Sequence, residues 1–298
     1  MTSVVVTGST GLVGKALVQV LKEAGYSVRQ LTTRRELAVQ EGYFLWNPAA
    51  NQVDDRAFTG VEYIIHLAGS SIGEGRWTAN RKKEILESRT RSTALLFEKV
   101  NQLALPLKAF ISASATGYYG SATSDTIYDE YSPAGTDFLA DVCVQWEKAA
   151  DRFQSAGIRT VKMRTGVVLA KGAPALKKMT LPINLGVGGP LGNGRQYMPW
   201  IHIDDLCRLY LRALQDNLMS GAWNAVAPEH ITNRELMKAL ARKLGKPFFF
   251  PPVPAFMLKL LLGEMAVIIT DGSRVSSRRL KAAGFEFNYH AIEQLVIK

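Results

Sequence analysis

Residues 4 to 17 read V-V-V-T-G-S-T-G-L-V-G-K-A-L, a β-branched run that meets three evenly spaced glycines and passes directly into a helical pattern. Few arrangements accommodate such a stretch. Gly8 allows a tight exit from a strand, Gly11 lets backbone approach a pyrophosphate, and Gly14 lets the helix pack on the sheet with its amino-terminal dipole facing the anion. A glycine triplet alone is weak evidence, because glycine marks any strand–helix turn, but preceded by a strand and opening a helix it predicts dinucleotide binding. Gly8, Ser9, Thr10, Gly11, Leu12, Val13 and Gly14 are therefore candidate cofactor-binding residues.

The rest of the first half repeats the same alternation. Short β-branched runs at Ser3–Thr7, Ser27–Thr32, Tyr43–Trp46, Tyr63–Leu67, Ala109–Ser112 and Arg159–Met163 are separated by amphipathic helical patterns, which predicts an α/β fold: a Rossmann-type, doubly wound parallel sheet. Residues 1–170 form this domain, with later segments such as 196–226 returning to it. Residues 171–298 supply mainly a smaller substrate lobe, with 248–298 as a small carboxyl-terminal domain behind the Pro-rich joint F-F-F-P-P-V-P-A. Such a lobe closes over the carboxyl edge of the sheet, where open α/β sheets bind ligands.

At 298 residues and 47% apolar, the chain can bury a sizeable core. Its net charge of +10 is spread along the sequence, and the densest group, Arg274, Arg278, Arg279 and Lys281, has no interleaved aromatic platform. That pattern argues against nucleic acid and for small phosphate-rich ligands. The longest greasy stretch, Pro254 to Thr270, is broken by Lys259 and Glu264 and is too short to cross a bilayer comfortably, and no charged-then-apolar leader begins at Met1. Two cysteines without a C-x-x-C, and four scattered histidines, predict no metal site, no disulfide framework and a cytoplasmic protein. A helix face left exposed beside the small lobe would suit a homodimer.

The end of the second strand chooses between dinucleotides. NAD binders usually place an acid there for the ribose 2′-hydroxyl, and NADP binders an arginine. This strand ends L-T-T-R-R, so Thr33 and Arg34 are candidate contacts and the expected cofactor is NADP, whose 2′-phosphate gains a charge-assisted bond from Arg34. The alternative is that Arg34 and Arg35 merely solvate a strand end.

T-G-S-T-G-L-V-G, with H-L-A-G at 66–69, S-A-S-A-T-G-Y-Y-G at 112–120 and W-I-H-I-D-D at 200–205, resembles the extended short-chain dehydrogenase/reductases. R-W-T at 76–78, W-E at 146–147, G-N-G-R-Q at 192–196 and N-A-V-A-P at 224–228 resemble an atypical, epimerase-like branch labelled nucleoside-diphosphate-sugar epimerase family proteins, with a short carboxyl-terminal domain of unknown function. The resemblance implies that Leu67, Ala68 and Gly69 line the adenine-ribose side of the cofactor, that Ser112 lies on the cofactor too, and that Ser114 hydrogen-bonds a substrate oxygen.

The departures from the family matter as much. No Tyr in this chain is followed four residues later by Lys, the pair that supplies the family's base; flanking residues put Cys143 and Glu147 in those places. A carboxylate one turn from a thiol disfavours the thiolate, so Cys143 reads as a small buried hydrophobe, while Glu147 could accept bonds from ribose hydroxyls. A register one residue later retains Lys148 but puts Val144 where the phenol would be. Tyr118 is the nearby phenol, either a proton donor or an aromatic lid. Arg89 stands where the family has an Asn, which favours an anionic substrate or cofactor phosphate, or else is a surface charge paired with Glu84 or Glu87. Arg195 either clamps a diphosphate or sits at a hairpin tip. Together these predict an NADP-dependent oxidoreductase or epimerase-like enzyme acting on a small, anionic substrate, a nucleotide sugar or another carbonyl or alcohol compound. The rival expectation is a catalytically weak or inactive NADP(H)-binding regulator or redox sensor.

Overall fold

The computed structural model describes residues 1–121 and 123–297. Its first half runs β1 (Ser3–Thr7), α1 (Leu12–Glu23), β2 (Ser27–Thr32), β3 (Tyr43–Asn47), β4 (Gln52–Val53), β5 (Val61–His66), α2 (Ala79–Gln102), β6 (Ala109–Ala115), β7 (Ile127–Tyr128), α3 (Phe138–Ser155) and β8 (Arg159–Thr165). The second half adds β9 (Val167–Leu169), α4 (Pro174–Asn184), β10 (Trp200–His202), α5 (Ile203–Gln215), β11 (Gly221–Ala225), α6 (Asn233–Leu244), α7 (Ala255–Leu262), α8 (Val267–Thr270), β12 (Arg274–Val275) and α9 (Arg278–Ala282).

Eight strands form one sheet in the order β11-β8-β6-β5-β1-β2-β3-β4, parallel except where β4 turns back on β3. The continuous apolar run of β1 follows from burial on both faces. Val4 and Val6 pack with Leu17 and Leu21 of α1 and Leu209 of α5, whereas Val5 packs with Leu96 of α2 and Phe153 of α3. Strand order reverses at β1, which has β2 on one side and β5 on the other, so the crevice for a ligand opens at the carboxyl ends of β1 and β5.

Strands β6 and β8 run farther toward that edge than the sequence pattern suggests, because Ser114 and Arg164, polar residues that look like loop, remain in register opposite each other. Above them, Met265 next to α8, with Val267 and Ile268 of α8, packs on Trp77, Ile85 and Val142, which roofs the carboxyl edge with the last part of the chain. W-I-H-I-D-D positions α5, but its cap is His202, whose Nδ1 accepts from the Asp204 N–H at 3.3 Å, and neither Asp acts as the cap. Asp205 is fully buried and accepts from the backbone N–H of Asn288 and of Tyr289, tying the carboxyl-terminal segment to α5. Among the described residues no helix is long and apolar enough to cross a membrane, and no group of three or more His, Cys, Asp or Glu could hold a metal ion.

Candidate functional site

The glycine loop is built around contacts that a side chain would prevent. Gly8 has φ +66°, and a Cβ there would lie 2.9 Å from the Leu67 carbonyl carbon. At Gly14 a Cβ would lie 2.2 Å from the Gly8 oxygen and 2.6 Å from Ser9 Cα, so this glycine lets α1 approach the loop itself and not only the sheet. Gly11 is the residue before α1, and it offers no side-chain cap; the first turn carries no acid. By contrast α2, α3, α5 and α6 are capped by Thr78, Asp137, His202 and Thr232. The first-turn N–H groups of α1 are thus left for an anion, and the buried Ser9 Oγ has no partner among the described residues. These features fit a dinucleotide pyrophosphate.

Beside the loop lies a cavity of about 450 Å³. Gly8, Thr10, Thr33, Ala68 and Gly69 line it as the sequence suggests, and Arg34, exposed, follows Thr33 with its backbone N–H on Thr32 Oγ1 at 3.1 Å. Ser9 is buried behind the loop; Leu67 and Val13 pack against the core; Leu12 is exposed at the start of α1. Ser112 falls outside the cavity, buried, with its hydroxyl on the Ala113 carbonyl at 2.9 Å. The sequence reading missed Trp46 and Asn47 at the end of β3, Ala49 beyond it, and Ser88, Arg91 and Ser92 on α2. The i, i+3 and i, i+4 spacing of the last three along α2 was the available signal.

His66 shows how H-L-A-G holds the crevice. Thr7 Oγ1 accepts from the Leu67 and Ala68 N–H groups, both at 3.1 Å, so its own proton goes to His66 Nδ1 at 2.7 Å. That leaves Nε2–H to donate to Ser92 Oγ at 3.0 Å, and Ser92 in turn donates to the Ser88 carbonyl. Burial lowers the His66 pKa from 6.5 to about 3, the nearby Arg89 charge adding to the effect against a backbone hydrogen bond that opposes it. The folded histidine therefore refuses a proton that the unfolded one accepts. Its contribution to stability is complete above about pH 6.5 and is lost as pH falls toward about 3, at up to ~1.4 kcal/mol per pH unit. Denaturant melts at a series of pH values should show this slope reduced by one proton in His66→Gln relative to wild type; identical slopes would contradict it.

The place of the missing Tyr–Lys pair is occupied by a closed ion pair. Arg164 donates from Nε to Glu147 Oε1 at 2.8 Å and from Nη2 to Oε2 at 2.9 Å, and Ser114 Oγ donates to Oε1 at 2.7 Å. Arg164 Nη1 also donates to the Tyr119 hydroxyl at 3.0 Å, which donates to Asn224 Oδ1 at 2.6 Å. All five side chains are buried. Desolvation opposes the Arg164 charge, but the Glu147 hydrogen bonds and charge, joined by Tyr119, raise its pKa overall. Burial is also the main reason the Tyr119 phenol is pushed up to about 12, against Arg164, which pulls it down.

Three expectations change as a result. Glu147 has both oxygens engaged and is no open acceptor for a ribose. Ser114 has spent its proton on Glu147 and lines neither the cavity beside the glycine loop nor the one roofed by α8. Tyr118 lays its ring on the Arg164 guanidinium, 3.4 Å from Cζ to the centroid, packs with Tyr119, and does not line a cavity.

A second cavity, of about 260 Å³, lies between the ion pair and the roof of α8. Cys143 lines it; burial, then the Glu147 charge, push its thiol up to about 12, so it is a neutral wall at ordinary pH. Arg89 lines it too, with its guanidinium 4.9 Å from the Trp146 ring and Nη1 donating to the Ser70 and Ile85 carbonyls at 3.1 and 2.9 Å. It has no carboxylate partner among the described residues: Glu84 pairs with Arg81, and Glu87 with Lys83 and Arg91. Burial lowers the Arg89 pKa. Arg89 also packs against Gly69, where a Cβ would come within 3.1 Å of Cζ, so this side chain of the second cavity's wall stands against a residue that lines the first. Tyr197, passed over in the sequence, is the phenol in the wall. Arg195 is exposed on a turn, its N–H on Asn193 Oδ1 at 2.8 Å, and lines neither cavity.

Comparison with known proteins agrees with this geometry. Residues 4–225 match the NAD-dependent epimerase/dehydratase family, and residues 253–296 match a domain of unknown function, DUF1731. The epimerase family protein SDR39U1 of Mus musculus is 37% identical over 290 residues, covering 96% of this chain and 95% of its own length. Epimerase family protein ML0860 of Mycobacterium leprae is 36% identical over 290 residues, covering 97% and 92%. A crystal structure of the human epimerase family protein SDR39U1 (isoform 2) with NADPH is similar throughout, with a TM-score of 0.87 at 32% identity, covering 98% of this chain and 97% of that one.

Proposed function

This chain belongs to the NAD-dependent epimerase/dehydratase family, and on that footing we propose that it is an NADP(H)-dependent oxidoreductase of a small carbonyl or alcohol compound. The observation that carries the reading is the placing of two cavities on either side of Arg89: one runs from the glycine loop to Thr33, and the other is walled mainly by apolar side chains. The loop and the first turn of α1 would hold the pyrophosphate, and Arg91, which lines the cavity, with Arg34, next to the lining residue Thr33, would favour the 2′-phosphate. NADPH bound there supplies a hydride to a carbonyl carbon, and NADP+ accepts one from an alcohol. The chain's own part is to exclude water, orient the substrate and move one proton. We assign the proton to Tyr197, whose hydroxyl lies 3.5 Å from Asp125 Oδ1 and whose ring lies 5.3 Å from the Arg274 guanidinium. Ser114 and Glu147 act as positioning residues that hold Arg164 and the end of β8. The two free, buried thiols suit the reducing cytoplasm.

One observation favours a second reading, an NADP(H)-holding regulator without turnover: the family's base is replaced by a sealed ion pair. Offering NADPH-saturated protein a panel of aldehydes and ketones separates the two. The enzyme reading expects NADPH consumption with at least one compound and a kcat about 100-fold lower in Tyr197→Phe. Binding of NADPH with no consumption across the panel would leave the regulator.

A further inference from the structure

We infer that the second cavity selects a compact, apolar carbonyl compound carrying one negative charge, of the 2-oxo-carboxylic acid kind, and excludes nucleoside-diphosphate sugars. This rests on the oxidoreductase reading for the carbonyl and on the cavity itself for the rest. The wall is mainly apolar, including Ile72, Leu139, Val142, Trp146, Val167 and Met198. Its volume of about 260 Å³ falls below the ~300–1,000 Å³ usual for sites that engulf larger ligands.

The charge inventory is equally restrictive. Among the residues that line the cavity, Arg89 is the sole cation and Asp271 the sole carboxylate. A diphosphate brings two negative charges to a wall that can neutralise one and repels with another. Arg195, which the sequence offered either as a diphosphate clamp or as a hairpin tip, lines neither cavity. Arg89 by contrast suits one carboxylate. Its hydrogen bonds within the protein all leave from Nη1, so Nε and Nη2, the edge that matches a carboxylate in the forked geometry, have no partner among the described residues. The Trp146 ring beneath the guanidinium holds it flat and keeps a weakly hydrated cation in an apolar setting.

A guanidinium that lines one cavity and packs against the wall of the other could serve an anionic oxygen of either ligand, and the test separates these sources. Phenylpyruvate, its neutral analogue phenylacetone, and UDP-glucose are each titrated calorimetrically into the full chain, with and without saturating NADPH. NADPH affinity is measured separately by the cofactor's own fluorescence. Phenylpyruvate is expected to bind about 10- to 100-fold more tightly than phenylacetone, the value of a charge-assisted forked contact, and UDP-glucose not to bind. In Arg89→Gln the acid and the ketone become equal while NADPH affinity is kept; Arg89→Lys, which preserves charge but not the fork, recovers part of the preference. UDP-glucose binding more tightly than phenylpyruvate would overturn the inference, as would acid and ketone binding equally to wild type. Loss of NADPH affinity in Arg89→Gln with the acid preference intact would give the guanidinium to the cofactor. Wild type that keeps the acid preference without NADPH but fails to bind NADPH would sink the cofactor reading and leave the cavity's selectivity standing.

Discussion

Replacing Glu147 by leucine is expected to lower folding stability by about 3–5 kcal/mol, which for a chain of this size is a fall of roughly 5–8 °C in Tm. The substitution leaves the Arg164 guanidinium buried without its forked partner and deprives Ser114 of its acceptor, and neither group can turn to water without opening the end of β8. Most of the loss is the cost of a lone buried charge, not the worth of the pair. Removing both charges in Glu147→Leu/Arg164→Leu should therefore recover much of the stability that the single change loses. Differential scanning calorimetry of the three proteins checks this. A Glu147→Leu loss below about 1 kcal/mol would mean that the pair is solvated and the site more open than described.

Gly14→Ala is expected to raise the Kd for NADPH about 10- to 100-fold or more while leaving most of the fold intact. Its new methyl would sit 2.2 Å from a backbone oxygen, so the end of α1 and the Gly8–Ser9 turn must part. That movement misaims the first-turn N–H groups, and each charge-assisted bond lost to a phosphate is worth ~1.5–3 kcal/mol. Gly25→Ala is the matched control, because Gly25 has nothing within 4 Å of a Cβ and is remote from the cavities, although its φ of +83° brings local strain. NADPH fluorescence titration with circular dichroism on both variants distinguishes lost binding from lost structure. Unchanged affinity in Gly14→Ala would remove the glycine loop from the binding site.

The fold was legible because its signals are local. Strand β1, the three glycines and the alternation of strands with helices depend on side-chain period and backbone freedom. The lining of the cavity beside the glycine loop was legible for the same reason, as Gly8, Thr10, Thr33, Ala68 and Gly69 lie within motifs. The surroundings of Ser114 and Glu147 were not. Ser114, Glu147 and Arg164 are far apart in sequence and look like three separate candidates until β6 and β8 bring them together; a motif says that a Ser is present, and only its partners say where its proton goes. Tyr118 and Tyr119 were adjacent phenols that both pack on Arg164, and no pattern tells which of the two buries its hydroxyl between Arg164 and Asn224. Tyr197 reaches the cavity from the segment before β10, through a contact between segments with no fixed spacing. Arg89 could be read either as a surface charge or as a cleft cation, and only the pairing of Glu84 and Glu87 with other bases separates the two.

Isothermal titration of the wild-type chain with NADPH and with NADH addresses the central claim, that the glycine turn and Arg34 form a seat for the phosphorylated dinucleotide. NADPH should bind in a one-to-one ratio at least about tenfold more tightly than NADH, the worth of one charge-assisted contact to the 2′-phosphate. No heat with either nucleotide, or equal affinity for both, would contradict it.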